Sequence, residues 1–265
     1  MAYKDILVHL DNSPHCATRI DIAIDLAKRH GAHLTGLYVI SHPYYKPRLE
    51  AVAASAEETQ AAFERATSLA GVSASCICAD WGTAGITRAE VVNFYAYLKD
   101  LVIVSQSDAE YPSDLPERVV VGSGRPVLII PHAGSFSNVG EHVMVCWKYG
   151  RESVRALNDA LPFLQQGGKV SVLAADPPEI AAHAGSDCCT EIGCYLTRHG
   201  IAGTVSQFVA ADIPIGDMLL NESWEQGCDL LVMGAYTRSS NGALSLSPVA
   251  RQVLDHMNLP VLMSH

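Results

Sequence analysis

The chain repeats itself, and this limits its folds more than any other feature. DILVHLD at 5–11 is an apolar run, and HVMVCWK at 142–148 is its counterpart. A helical stripe follows in each copy: Ile20, Ala23, Ile24 and Ala27 in the first, Val154, Leu157, Leu161 and Leu164 in the second. That spacing puts each set on one helix face. Ser13-Pro14 reads as the first helix start, with Ser as N-cap and Pro at the first helical position. Gly31 and Gly167-Gly168 read as the stops. The apolar runs HLTGLYVI (33–40) and KVSVLAA (169–175) come next. SASCICAD (73–80) pairs with GTVSQFVA (203–210), and a helix near 84–97 pairs with one near 215–226. DLVIVS (100–105) pairs with DLLVMG (229–234), and PVLIIP (126–131) with PVLMSH (260–265). Each copy is therefore β-α-β-α-β-α-β-α-β.

Strands that are nearly all apolar are buried on both faces, as in a parallel sheet covered by helices. Right-handed crossovers then give a doubly wound α/β fold with a five-stranded sheet in each copy. The polar, glycine-bearing stretch HAGSFSNVGE separates the copies. The reading is a first domain at 1–134, a linker at 135–141 and a second domain at 142–265.

With 265 residues there is room for two such domains, and 49% hydrophobic against 17% charged residues provides a core for both. The net charge of −10 argues against a general binder of nucleic acid or anionic membrane. No apolar run approaches the roughly 20 residues of a membrane-spanning helix. MAYKDILVHLD lacks a secretory-signal layout, so the expected location is cytoplasmic. Several of the eight cysteines fall within apolar runs, where they read as small buried hydrophobes.

LVHLDNSPH and GAHLTGLYVI at the start, with DLLVMGAY and SPVARQVLDHMNLPVLMSH at the end, resemble the universal stress protein family in tandem form. The likeness covers nearly the whole chain. It implies a fold related to nucleotide-binding α-hydrolases, with the two domains packed as an internal pseudo-dimer. A further homodimer, an unknown protein partner, and a nucleotide or other small-molecule ligand are also implied.

Members of that family that bind ATP carry G-x2-G-x9-G-[ST]. In the second copy Gly234 fits the first glycine. Thr237, Ser247 and Pro248 stand at the other motif positions, so the spacing is kept and the chemistry is changed. Backbone N–H groups at a helix N-terminus hold phosphate, and proline has none to give. Ser247-Pro248 reads instead as an N-cap and first helical residue. Thr237, Arg238, Ser245 and Ser247 remain as donors for an altered anion site. In the first copy Ser105 and Asp108 replace glycines, and Asp108, Glu110 and Asp114 would repel phosphate. Gly122 reads as a helix C-cap. Asp11 matches the family's acid after the first strand, where the second copy has Lys148, and Val39 falls where binders contact the base.

The candidate nucleotide or anion site is therefore Asp11, Val39, Gly234, Thr237, Arg238, Ser245 and Ser247. ATP or AMP would bind there weakly or not at all, with Mg only alongside nucleotide. The leading expectation is a stress-response protein acting through partners or a small ligand, with degenerate ATP motifs. The alternatives are an ATP/AMP-binding switch or slow ATPase using the second-copy loop, and a metal or thiol sensor.

Other groups are weaker. His183, Cys188, Cys189, Cys194 and His199 lie close in sequence, but their spacing is not that of a zinc site, and a helix with small buried residues explains them. Cys76 and Cys78 read as core. His9 reads as a hydrogen-bonded core histidine, with proton transfer as the alternative. Tyr44, Tyr45, Lys46 and Arg48 form a small basic-aromatic patch. No motif for a catalytic nucleophile is present.

Overall fold

The computed structural model describes the chain except residues 1, 41–48, 81–84, 108, 111–112, 176–187, 208–212 and 239–243. The side chains of 49–53, 188, 237, 238 and 244 are also outside the description, and the 44–48 aromatic-basic patch lies wholly outside it. The chain forms two compact units, Ala2–Ser135 and Phe136–His265.

The N-terminal unit runs β1 (Asp5–Leu10), α1 (Cys16–His30), β2 (His33–Val39), α2 (Leu49–Ala70), β3 (Ala74–Ala79), α3 (Arg88–Ala96), β4 (Leu101–Ser105), α4 (Leu115–Gly122) and β5 (Val127–Ile130). The C-terminal unit runs β6 (His142–Lys148), α5 (Arg151–Gln166), β7 (Lys169–Ala175), α6 (Cys188–Arg198), β8 (Gly203–Gln207), α7 (Ile215–Glu225), β9 (Leu230–Gly234), β10 (Tyr236–Arg238), β11 (Leu244–Leu246), α8 (Pro248–His256) and β12 (Val261–Ser264).

Strand order is β3-β2-β1-β4-β5 in the first unit and β8-β7-β6-β9-β12 in the second. Among the described residues the neighbouring strands within each unit's main sheet pair in parallel. The order reverses between β1 and β4 and between β6 and β9. Loops diverge there at the strands' C-terminal ends, which is where open α/β sheets bind ligands.

Central strands are buried on both faces as expected: Ile6, Leu7 and Val8, Leu101 to Val104, and Leu230 to Val232 are sealed from solvent. The expectation fails at the edges. In β3, Cys78 is exposed and Cys76 half-buried, so neither is core. In β8, Gly203, Thr204, Ser206 and Gln207 are exposed. An edge strand has one neighbour and incomplete helix cover, so its faces cannot both be dry.

Helix ends follow local chemistry. Thr87 and Glu90 form a capping box, with Glu90 N–H donating to Thr87 Oγ1 at 3.3 Å and Thr87 N–H to Glu90 Oε2 at 2.7 Å. This starts α3 at Arg88 rather than near 84. Ser13 is not the cap of α1; the helix starts at Cys16 and Ser13 bonds to Asp11. Gly122 is the last residue of α4 rather than its cap, and a Cβ there would come within 2.2 Å of Asn93 Nδ2. The left-handed turn falls to Gly124, at φ 63°. On α5, Leu157, Leu161 and Leu164 are buried, but Val154 is 48% exposed.

Both units share a clamp at the N-terminal ends of their strands. Asp100 Oδ2 accepts N–H bonds from Lys4 (2.7 Å) and Asp5 (3.1 Å). Asp229 accepts from Gly140 (2.7 Å), Glu141 (3.0 Å) and His142 (2.9 Å). The leading acid of DLVIVS and DLLVMG thus ties the start of the fourth strand of its copy to the start of the first. Asp229→Ala leaves three backbone donors without this acceptor. It is expected to cost about 2 kcal/mol, read as a lower urea midpoint at unchanged slope.

Candidate functional site

At the switch point of the N-terminal unit a cavity of about 380 Å³ is lined by Asp11, Asn12, Val39, Arg88, Ser105 and Gln106, among others. Arg19 lies beneath it, fully buried on α1. Its Nε donates to the His9 carbonyl at 2.7 Å, one terminal nitrogen bonds Ser105 Oγ, and the other sits 3.0 Å from Asp11 Oδ2. Asp11 Oδ1 accepts from both Ser13 N–H (3.0 Å) and Ser13 Oγ (2.6 Å). Asp11 is thus a tied loop residue with most of its acceptor capacity in use. Tyr38 Oη accepts from Asn12 Nδ2 at 2.9 Å, and Thr59 Oγ1 donates to Asn12 Oδ1 at 3.1 Å, fixing that amide at the cavity wall.

Around this cluster the titrations are displaced. Burial alone would push the Asp11 carboxyl up; Arg19 first, then His9 and the Ser13 bonds, outweigh it and hold the carboxyl well below its usual range. Burial, reinforced by Arg19, holds the His9 imidazole far below its ordinary value and neutral. Its Nδ1 is 3.5 Å from Asp11 Oδ2 and makes no hydrogen bond, so His9 is a core histidine without the expected hydrogen bond at that nitrogen.

The Ser105 side chain at the end of β4 is bonded to Arg19. Ser113 N–H donates to Ser107 Oγ (2.9 Å) and Leu115 N–H to Ser113 Oγ (3.2 Å), so donors at the start of α4 are used within the loop. Asp108 lies outside the described residues.

The C-terminal unit has its own cavity, about 310 Å³, at the ends of β6, β7 and β9. Gly234 and Ser247 line it, but neither is free to cradle phosphate. A Cβ at Gly234 would meet the Glu152 backbone at 2.7 Å, so that glycine lets α5 approach the sheet. Ser247 caps α8 as expected, accepting from Ala250 N–H at 3.1 Å with Pro248 at the first helical position. Part of the expected open polar loop is an antiparallel pair of strands, with Thr237 opposite Ser245 and Arg238 opposite Leu244. Ser247 N–H donates to the Ala235 carbonyl at 2.8 Å and anchors the pair to the sheet. Ser245 is half-buried in that pair, while the Thr237 and Arg238 side chains lie outside the described residues.

The candidate residues therefore divide: Asp11 and Val39 belong to one cavity, Gly234 and Ser247 to the other. Sequence reasoning missed Arg19, an arginine on the apolar stripe of α1, and the strand pair flanking Ser-Ser-Asn-Gly, a turn signal.

The remaining cysteine readings change with exposure. Cys194 is exposed on α6 and Cys189 half-buried, so α6 buries Ile192 and Leu196 rather than these two thiols, and the Cys188 side chain lies outside the description. Burial pushes the Cys146 thiol up to about 12 and that of Cys228 to about 11, the reverse of what a reactive thiolate needs. His183 lies outside the described residues, and among those described no group of three or more metal-ligating side chains is present. Nor is any helix among them long and apolar enough to cross a membrane.

Two consecutive doubly wound α/β units, each with a cavity at its switch point, define a tandem protein of the Rossmann-like α/β class. A model of the universal stress protein family matches residues 2–131 and again 142–265, and the chain belongs to that family. A universal stress protein from Archaeoglobus fulgidus DSM 4304 shares the fold at 15% identity, covering 98% of this chain and 97% of its own, with a TM-score of 0.77. A functionally unknown protein from Pseudomonas aeruginosa PAO1 is similar at 14% identity, covering 99% of this chain and 92% of its own, with a TM-score of 0.63. The universal stress protein from Archaeoglobus fulgidus solved in complex with dAMP covers 49% of this chain and 98% of its own at 16% identity and a TM-score of 0.38. No curated protein matches the chain.

Two outcomes follow from this geometry. Ser247→Ala removes the α8 cap and is expected to cost about 1 kcal/mol of stability in urea unfolding. His9, neutral in the fold, contributes stability above the ordinary imidazole pKa of about 6.5 and loses it as pH falls below that value. The Asp11 contribution, from a depressed folded pKa, is present above the ordinary carboxyl range and is lost only at much lower pH. Between pH 6 and 5 wild type is expected to lose about 1.4 kcal/mol per pH unit more than His9→Asn. Taking this difference by urea unfolding cancels the other histidines.

Proposed function

We propose that this chain is a ligand-responsive stress protein of the cytoplasm whose N-terminal cavity binds a nucleoside or nucleoside monophosphate and whose effect passes to a protein partner. One observation carries the reading: the 380 Å³ cavity keeps polar and flat-ligand contacts while its phosphate-facing donors are used internally. A volume of that size suits a small ligand. Asn12, Gln106 and Ser113 offer polar contacts, and Tyr38 and Val39 provide surface for a ring. Arg88, exposed at the start of α3, supplies positive charge for one phosphate. Among the described residues nothing comparable to a glycine-lined cradle is left for a second and third phosphate. The alternative of an ATP-driven switch in the C-terminal unit is disfavoured by the start of α8, where Ser247 N–H goes to the Ala235 carbonyl, Ala250 N–H to Ser247 Oγ, and Pro248 has no N–H.

Calorimetric titration of the purified chain with adenosine, AMP and ATP, each with and without magnesium, tests this. AMP and ATP are expected to bind within about threefold of each other without gain from magnesium, and Arg88→Glu is expected to weaken AMP at least tenfold (about 1.4 kcal/mol). Magnesium-dependent ATP binding more than tenfold tighter than AMP overturns the reading, and so does the absence of binding by all three.

A further inference from the structure

The C-terminal cavity has walls of a different kind. Leu173, Ile215, Leu219, Met233 and Val249 face it, and among the described residues no aspartate or glutamate lines it. Ile215 is 44% exposed despite being apolar. One side-chain cation stands in that described lining, Lys148, and it does not line the smaller recess of about 230 Å³ beside Trp147. Lys148 is exposed and makes no ion pair with a described residue.

An ammonium at the mouth of an apolar cavity attracts an anion, while the apolar walls favour a body without charge. The Cys146 thiol in the same lining stays protonated and adds no opposing charge. The phosphate alternative lacks backbone donors at the start of α8, since Ser247 N–H goes to the Ala235 carbonyl, Ala250 N–H goes to Ser247 Oγ, and Pro248 has no N–H.

We infer that the C-terminal cavity is a second ligand site, independent of the N-terminal one, that takes a small monocarboxylate with an apolar body. The hydrocarbon lies against Leu173, Leu219, Met233 and Val249, and the carboxylate meets Lys148. A duplicated chain of this kind reads two chemistries, one in each unit.

Decanoate is the probe, followed by calorimetry and by tryptophan fluorescence on the full chain, with decanol as the uncharged control. Decanoate is expected to bind one per chain and at least tenfold tighter than decanol. Lys148→Glu, at an exposed position, should weaken decanoate at least tenfold and leave decanol unchanged. AMP at saturation should not displace decanoate, and Arg88→Glu should not affect its binding. No binding, equal affinity for decanol, insensitivity to Lys148→Glu, or competition by AMP each overturns the inference. AMP binding is measured on the same samples, so loss of this site alone is distinguishable from failure of the nucleotide reading.

Discussion

The guanidinium of Arg19 is the interaction on which the N-terminal switch point depends. It is fully buried, and it reaches the end of β1 through the His9 carbonyl, the following loop through Asp11, and the end of β4 through Ser105. A buried charge of this kind is tolerated only when paired and hydrogen-bonded, and removing one partner alone is expensive. The three side chains therefore form one unit. They set where the loop after β1 turns and which wall of the cavity is polar, and Arg19 reinforces the burial that keeps His9 neutral.

The C-terminal unit reaches the same fork by another route. Lys148 and Gly234 take the places of Asp11 and Ser105 in the sequence repeat, and the arginines of α5, Arg151 and Arg155, are exposed. With no guanidinium to accommodate, α5 comes down until the Glu152 backbone would touch a Cβ at Gly234. Glycine is required there by packing, although its position in the sequence matches a nucleotide motif. A charged network in one copy and close apolar contact in the other are two solutions to joining the same three elements.

This explains what the sequence revealed and what it hid. Strand and helix order was legible because the apolar runs and stripes are long and occur twice. The Ser247-Pro248 cap was legible because its chemistry is local. The exposure of Cys78 on β3 was not, because an apolar run does not say whether its strand is at the centre or the edge. Arg19 was hidden by its type: an arginine in a helix normally reads as solvent-facing, and only the partners at Asp11 and Ser105, far apart in sequence, make its burial tolerable. The strand pair β10–β11 was hidden because three-residue strands fall below any useful period, and a length match to a nucleotide loop drew attention from Ser-Ser-Asn-Gly.

Duplication relaxes the constraint that a coupled network imposes. In a single domain, exchanging Arg19, Asp11 and Ser105 one at a time would pass through states with an unpaired buried charge. When two copies share one chain, the second can lose all three while the first retains the polar switch point. The cavity that results is bounded by whatever packs best, which for α7 and α8 includes Ile215, Leu219 and Val249. The Lys148 ammonium in its lining gives an apolar cavity a preference among ligands, since a hydrophobic wall alone discriminates by size and not by charge.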